Sequence, residues 1–248
     1  MVTTWCLVFM SGASGPFKAF TDSDLCGQII VLIQIGMSVV SWGIMIGRAL
    51  HLRDVRQRSA KFVDDFARQV DPLSLYYDNY RFSNTPMERV YCKSCDRLAQ
   101  LIPERQRIVL RQDPNARIEL NRARLELVET ACAHTTDEET IMVGKGMTTL
   151  AVITSSAPLL GLFGTVWGVM LAFQAMATSG SANIAELAPG ISSALLTTVV
   201  GLLVAIPSTV AYNWLQSSVD EYVVQLEGFS EELMGKLTLN YGEQQGRS

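Results

Sequence analysis

Charged residues are scarce in this sequence and are absent altogether from three long stretches. Asp, Glu, Lys and Arg make up 18% of the chain, yet none of them occurs in residues 26–47, 146–185 or 187–219. A buried helix of a soluble protein rarely needs more than about 14 consecutive apolar residues. The three stretches therefore exclude an ordinary soluble domain, and the net charge of −4 excludes a strongly basic nucleic-acid binder.

Residues for acid–base catalysis are scarce as well. His51 and His134 are the only histidines, and both fall in charged segments that are typical of solvated helix surfaces. The sequence contains no phosphate-binding loop, no nucleophile elbow and no metalloprotease helix. We therefore expect no catalytic residues and no enzymatic activity.

The uncharged stretches predict an all-α integral membrane protein with three transmembrane helices. The first helix is expected at residues 25–47, and its uncharged part would span about 33 Å, enough for a hydrocarbon core of about 30 Å. The second, at residues 146–177, would be about 45 Å long and must tilt or project from the membrane. Small polar residues then predict a loop at 178–188, before a third helix at 189–215. We expect the second and third helices to extend beyond the bilayer.

Basic residues flank the first helix mainly on one side. Those that follow it are Arg48, Arg53, Arg56, Arg58 and Lys61. The segment before it carries Lys18 with two aspartates, and the loop at 178–188 has no Lys or Arg. The positive-inside rule then places residues 48–145 and the tail at 216–248 in the cytoplasm, and residues 1–24 and the loop outside. A cleaved signal peptide is a less favoured alternative, because no basic residue precedes the short apolar run near the N-terminus.

The segment at 48–145 predicts a helical cytoplasmic domain. Charged and apolar residues recur at helical spacing in residues 60–70, 87–101 and 117–134. Turn-forming sequences, such as Asp-Pro-Asn at 113–115, separate these helices.

Five cysteines raise the alternative of a metal or redox site in that domain. They are Cys6, Cys26, Cys92, Cys95 and Cys132. Cys92 and Cys95 form a C-x-x-C motif, and Cys132 and His134 lie further along the chain. A second clean ligand pair and a βαβ pattern are both lacking, so we expect no metal and no cofactor.

Small residues and prolines are concentrated in the second and third helices. The residues expected to allow close packing or to kink a helix are Pro158, Gly161, Gly164, Gly168, Gly201 and Pro207. Small residues let helices approach closely in lipid, where packing drives association. Packing within one chain would use part of this surface, and the excess favours an oligomer, a polar pore, or both.

The three predicted spans contain hydroxyl groups but no Asp, Glu, Lys or Arg. Candidate pore-lining or partner-facing residues are Thr165, Ser193, Thr197 and Thr198. Hydroxyls can hydrogen-bond a water molecule or a carboxylate, but they do not hold a proton near neutral pH. A proton path across the bilayer usually uses an ionisable group, so here that group would have to come from another chain.

Two long motifs resemble the TolQ/ExbB/MotA proton-channel family. Residues 157–170 (APLLGLFGTVWGVM) are similar to the family's second-helix signature. Residues 188–213, with APGI, ALLTT and a closing Tyr-Asn, are similar to its third-helix signature. In the first helix, residues 35–38 (IGMS) and 41–42 (SW) look more like TolQ than ExbB.

The resemblance implies a fold, partners and roles for particular residues. Family members form a pentamer around a central pore in the bacterial inner membrane, so the outer side is the periplasm. The pore holds transmembrane helices of a TolR/ExbD-like single-span partner, whose membrane Asp carries protons, and the work passes to a TolA- or TonB-like protein. Thr165 and Thr198 would face the pore and that Asp. Ser193 stands where TolQ and ExbB proteins commonly carry Glu, and Glu186 is a weak candidate to replace it.

Three functions are weighed on these grounds. The first is an energy-transducing proton-channel, or stator, subunit of a Tol- or Ton-type complex. The second is a non-conducting membrane scaffold that assembles a partner complex, which the missing third-helix Glu keeps open. A membrane enzyme is the third, and no residue set supports it.

Overall fold

A computed structural model describes residues 14–21, 23–77, 84–102, 120–179 and 184–242. The apolar run near the N-terminus, Cys6, the turn at 113–115 and the centre of the loop at 178–188 lie outside the described residues. The described part of the chain is almost entirely α-helical and contains no strand. The predicted all-α class is confirmed.

Seven helices follow one another in the described ranges. They are α1 (Ser14–Thr21), α2 (Leu25–Ala67), α3 (Ser74–Tyr77), α4 (Pro86–Leu101), α5 (Arg122–Gly144), α6 (Met147–Ser179) and α7 (Ile184–Tyr241). Three stretches are long and apolar enough to cross a membrane, and they coincide with α2, with α5 and α6 taken together, and with α7. The expectation of three membrane-spanning helices is therefore confirmed.

Some helix boundaries differ from the predicted ones. The segment predicted at 25–47 and residues 60–67 of the segment predicted at 60–70 belong to the single helix α2, because no Pro or Gly occurs between residues 48 and 67 to end it. The helix predicted at 117–134 begins at Arg122 in the described part of the chain, where Asn121 caps it, and continues to Gly144.

The loop predicted at 178–188 is shorter than the sequence suggested. Residues 178 and 179 belong to α6, and α7 already begins at Ile184. Pro189 therefore lies inside α7, in its second turn, where few helical hydrogen bonds precede it and a missing N–H disturbs little. Gly190 packs close to α6, since a Cβ built on it would lie 3.1 Å from the Cβ of Ala172.

The chain forms two compact units. Unit 1 comprises Met1–Gly47 and Gly146–Leu215, and unit 2 comprises Arg48–Lys145 and Gln216–Ser248. Unit 1 contains the uncharged parts of α2, α6 and α7. Large apolar side chains on these parts are exposed in the single chain, among them Leu159, Val166 and Ile206. Such surface suits lipid or neighbouring subunits.

Unit 2 is built around aromatic side chains. Phe66 of α2 lies edge-on to Tyr91 of α4, at 5.7 Å between ring centroids, and to Phe229 of α7, at 5.3 Å. The Nζ of Lys236 lies 4.3 Å from the centroid of the Phe66 ring, on its face. The apolar residues Leu226, Phe229, Leu233 and Leu237, all buried, recur at helical spacing along α7 and form its core face.

The start of α4 illustrates how local sequence sets a boundary. Thr85 accepts a hydrogen bond from the backbone of Glu88, whose side chain accepts one from the Thr85 backbone N–H at 2.9 Å. This capping box, with Pro86 at the first helical position, starts the helix one residue before the predicted Met87. Arg89, one turn into α4, makes a two-pronged ion pair with the buried carboxylate of Glu139 in α5.

Candidate functional site

A cluster of threonine hydroxyls surrounds one backbone carbonyl between α6 and α7. The carbonyl oxygen of Gly161 accepts hydrogen bonds from Thr198 Oγ1 at 2.9 Å, Thr197 Oγ1 at 3.1 Å and Thr165 Oγ1 at 3.2 Å. Thr165 and Thr198 also hydrogen-bond each other through their hydroxyls. Thr165 Oγ1 has a further acceptor in the carbonyl of Ala194, at 3.3 Å. The arrangement is a compact polar site inside an apolar helix pair.

Glycines make the close approach of α6 and α7 possible. A Cβ built on Gly164 would overlap the Thr197 side chain, and one built on Gly168 would lie 2.7 Å from the Cβ of Ala194. A Cβ on Gly161 would lie 2.9 Å from the Thr197 carbonyl oxygen. Real side chains do not approach so closely, so these positions require glycine for this packing.

The four hydroxyl residues predicted from the sequence have different environments. Thr165 and Thr198 are partly exposed in the single chain, whereas Thr197 and Ser193 are buried. Thr197 packs against Gly164, and the Ser193 hydroxyl donates to the carbonyl of Gly190 at 3.0 Å. The single chain therefore leaves only Thr165 and Thr198 of the four with surface open to a neighbour or partner.

The predicted packing and kink residues fall into two groups. Gly201 joins the glycines that approach a neighbouring helix, since its Cβ would lie 2.6 Å from the Ala157 carbonyl oxygen. Pro158 and Pro207 lie inside α6 and α7, and each helix continues through its proline. Each proline withholds one backbone N–H from the helical ladder. Hydroxyls nearby bond to backbone carbonyls, as Ser208 does to Val204 at 2.7 Å.

Sequence reasoning missed three polar contacts that join α2, or Asp24 just before it, to the other helices of unit 1. The Trp167 indole N–H donates to Asp24 at 3.0 Å, Gln34 Nε2 donates to the Ala157 carbonyl at 3.3 Å, and the Ser41 and Ser208 hydroxyls lie 2.6 Å apart. A signal was present, because Gln34 and Ser41 are polar residues seven apart on one face of an apolar helix.

Within the described part of the chain, Cys92 and Cys95 of α4 have no third potential metal ligand grouped with them. Within the described ranges no three His, Cys, Asp or Glu residues are grouped closely enough to hold an ion. Burial and the neighbouring carboxylate of Asp96 raise the pKa of Cys92 to about 11, and burial raises the pKa of Cys95 well above its usual range. Both thiols are therefore mainly protonated at neutral pH, and the thiolate is the reactive form.

We expect Cys92 and Cys95 to react slowly with iodoacetamide in the folded protein. A pKa of about 11 leaves roughly a hundredfold less thiolate on Cys92 than an ordinary thiol has, and Cys95 is fully buried. Mass spectrometry of peptides after timed alkylation at pH 7.5 measures both rates, and denatured protein is the control. Fast labelling of Cys92, or one zinc ion retained per chain, would contradict the description of Cys92 and Cys95 as buried, protonated thiols.

Comparison with known proteins agrees with this architecture. Residues 84–228, more than half of the chain, match the model of the MotA/TolQ/ExbB proton channel family. The chain is 31% identical over 219 residues to the Tol-Pal system protein TolQ of Haemophilus influenzae, which covers 86% of this chain and 89% of that protein. It is 27% identical over 223 residues to TolQ of Pseudomonas aeruginosa, covering 89% of this chain and 91% of that protein.

A third relative carries the other name found in the family. The biopolymer transport protein ExbB of Pseudomonas putida is 26% identical over 223 residues, which cover 88% of this chain and 62% of that protein. The match to the family model, the coverage of the TolQ relatives and the three apolar helices agree with one another. This chain is therefore a multi-pass membrane protein that belongs to the MotA/TolQ/ExbB proton channel family.

Proposed function

We propose that this chain is the proton-channel, or stator, subunit of a Tol- or Ton-type complex in the bacterial inner membrane. It would couple the proton-motive force to work at the cell envelope. The observation that carries the proposal is the Thr165–Thr198 hydroxyl pair, seated on the Gly161 carbonyl and partly open to a partner. The names of the relatives, Tol-Pal system protein and biopolymer transport protein, support the same class of task.

The chemistry of the pair suits a proton carrier supplied by another chain. Each threonine hydroxyl can donate to an ionised carboxylate and can accept from a protonated one. A membrane Asp on a TolR/ExbD-like single-span partner would thus find a hydrogen-bonding surface in either protonation state. Each proton that crosses would release about 2.3 kcal/mol per 100 mV of membrane potential. Movement of the partner helices would pass this energy to a TolA- or TonB-like protein.

Ser193 fits a subunit that brings no carboxylate of its own. Its hydroxyl is buried and already bonded to the Gly190 carbonyl, so it is not available as a proton-binding group. Glu186 lies within α7, which corrects the expectation that the chain before Pro189 is not helical. The partner Asp would supply the carboxylate at the level of the hydroxyl pair, since residues 187–219 contain none.

Assembly and topology complete the proposal. The apolar side chains exposed on unit 1 give surface for a homo-oligomer, a pentamer by family resemblance, and for lipid. The N-terminal segment at 1–24 and the short loop would be periplasmic. Residues 48–145 and the tail at 216–248 would be cytoplasmic, in accord with the basic residues that follow residue 47.

A non-conducting scaffold is the second candidate. One observation favours it, since the hydroxyls of the pair are already hydrogen-bonded inside the chain, to each other and to backbone carbonyls. In such a protein the cluster would join two helices, and no proton would pass.

Proton flux decides between the two candidates. The chain would be reconstituted in liposomes with its single-span partner, and acidification would be followed after a potential is imposed. We expect a Thr165→Val plus Thr198→Val double variant to lower the flux roughly a hundredfold, comparable to removing donors that stabilise a charge at a reacting centre. A non-conducting scaffold predicts no flux above that of empty liposomes in the parental complex, and parental flux in the double variant would reject the role proposed for the hydroxyl pair.

A matched control is available on α7. Thr209 is an exposed residue whose hydroxyl, among the described residues, donates only to the Ala205 carbonyl of its own helix, at 2.8 Å. Thr209→Val therefore removes the same chemical group outside the cluster and should leave the flux unchanged. Replacing the proton gradient with a sodium gradient in the same liposomes tests which ion is used.

A further inference from the structure

Gln34 is a polar side chain placed where the sequence could use an apolar one. It lies within the uncharged part of α2 and is fully buried, at 0% exposure. Its Nε2 donates to the Ala157 carbonyl at 3.3 Å, but its buried Oε1 has no hydrogen-bond partner among the described residues. A half-satisfied buried amide is unfavourable relative to leucine or methionine. Its presence therefore calls for a reason other than stability.

The amide of Gln34 occupies space that two glycines leave open. A Cβ built on Gly201 of α7 would lie 2.8 Å from Gln34 Nε2, and one on Gly161 of α6 would lie 3.4 Å from it. The Gly201 Cβ would also lie 2.6 Å from the carbonyl oxygen of Ala157. The Gln34 side chain of α2 therefore lies between α6 and α7, at the point where their backbones come together.

Gly161 links the Gln34 side chain to the hydroxyl cluster. It lies next to the Gln34 amide, and its carbonyl oxygen accepts hydrogen bonds from Thr165 and Thr198. A Cβ on Gly161 would lie 2.9 Å from the Cα of Thr198, so the two backbones touch at this level. We therefore expect a substitution of Gln34 to alter the separation of α6 and α7 at Gly161, where the hydroxyl pair is bound.

We propose that Gln34 is a positioning residue for the Thr165–Thr198 pair. Its amide, held by the Ala157 carbonyl in the notch of Gly161 and Gly201, sets from a third helix how closely the two hydroxyl-bearing helices approach. The effect on proton flux rests on the proposed function, whereas the effect on the geometry of the pair does not. Ser41 also bonds α2 to α7, through Ser208, and serves as the comparison.

The geometric test uses cysteines in place of the two threonines. In a Thr165→Cys plus Thr198→Cys chain, oxidation in native membranes should form a disulfide, which peptide mass spectrometry identifies. Adding Gln34→Met, which keeps the length of the side chain and removes the amide, should slow this reaction roughly tenfold, as misplacing a reacting group by about an ångström costs up to a hundredfold. Adding Ser41→Ala, which removes another buried α2–α7 hydrogen bond, should leave the rate within about twofold.

A Gln34→Glu variant separates hydrogen-bond donation from packing. A protonated carboxyl group has nearly the shape of the amide and can donate to the Ala157 carbonyl, whereas the ionised form cannot. The disulfide rate, taken relative to the parent at the same pH, should be normal at low pH and should fall as the pH rises through the pKa of the new carboxyl. If Gln34 acted through packing alone, the ratio of the two disulfide rates would not depend on pH. That result would overturn the proposal.

Flux measurements on the same variants, with the native threonines, keep the two proposals distinguishable. A roughly tenfold lower proton flux in Gln34→Met, together with the slower disulfide, supports both. A slower disulfide with unchanged flux in Gln34→Met and in the double threonine variant supports the positioning role and rejects the part that the proposed function gives to the hydroxyl pair. An unchanged disulfide rate in Gln34→Met overturns the positioning role whatever the flux.

Discussion

A Gly164→Val substitution is expected to separate α6 from α7 and to prevent recovery of a folded protein. The Cβ alone would overlap the side chain of Thr197, which is itself buried and hydrogen-bonded to two carbonyls. A rigid helix pair cannot yield locally, and forced overpacking of a well-packed contact costs about 1–3 kcal/mol or more. The added branching would also disturb the neighbouring Gly161 carbonyl site. Yield of detergent-solubilised complex, its mass and its resistance to protease measure the effect.

Gly43→Val is the matched control. Gly43 lies in the uncharged part of α2, and a Cβ there would meet no other atom within 4 Å in the single chain. The same change of glycine to valine should therefore leave the helix pairing intact. Comparable yield and protease resistance in the two variants would show that α6 and α7 do not pack at Gly164 as described.

A Phe66→Ala substitution is expected to destabilise unit 2 by about 3–5 kcal/mol. Phe66 has no exposed surface, and its ring meets Tyr91 and Phe229 edge-on as well as the ammonium group of Lys236. Removal leaves a cavity bounded by three helices, since α2, α4 and α7 each contribute a neighbour. The cation–π contact adds about 0.5–1 kcal/mol to what is lost.

Amide hydrogen exchange is a suitable measurement for this change. The four tryptophans lie outside unit 2, so intrinsic tryptophan fluorescence reports on it poorly. Peptides from α4 and from the last part of α7 should exchange faster by the factor that corresponds to the lost free energy. Val70→Ala is the control, because Val70 is 88% exposed and its truncation should change stability by less than about 0.5 kcal/mol. Equal protection in both variants would contradict the aromatic core.

Much of the molecule could be predicted from residues that act locally. Charge-free stretches identify membrane-spanning helices because an unpaired charge in hydrocarbon is costly wherever the helix packs. The start of α4 was predicted to within one residue from helical spacing, and Thr85, Pro86 and Glu88 set it through a cap formed by neighbouring positions. The family was predicted from two motifs, each contained in one segment, and the comparisons confirm it.

Other features required knowledge of which helices are neighbours. The composition of the helices offered Thr165, Ser193, Thr197 and Thr198 as hydroxyl candidates, and only the family resemblance singled out Thr165 and Thr198. Thr197 is buried because it packs against Gly164 of α6. Whether a hydroxyl is buried or exposed depends on which side of each helix faces the neighbouring helix. The helix rotation that settles this is a tertiary property.

The long helices and the role of Gln34 show the same division. Sequence determined that α2 and α7 contain apolar spans and polar amphipathic ends, because hydropathy is additive along the chain. It did not determine where α7 begins, because local turn signals around residues 178–190 compete with contacts such as Gly190 against Ala172. The role proposed for Gln34 depends on its contacts with a carbonyl in α6 and a glycine in α7, both far along the chain. Sequence thus decided which segments enter the membrane, and tertiary packing decided which polar groups meet there, since a hydrogen bond depends on the distance between atoms that the chain alone does not bring together.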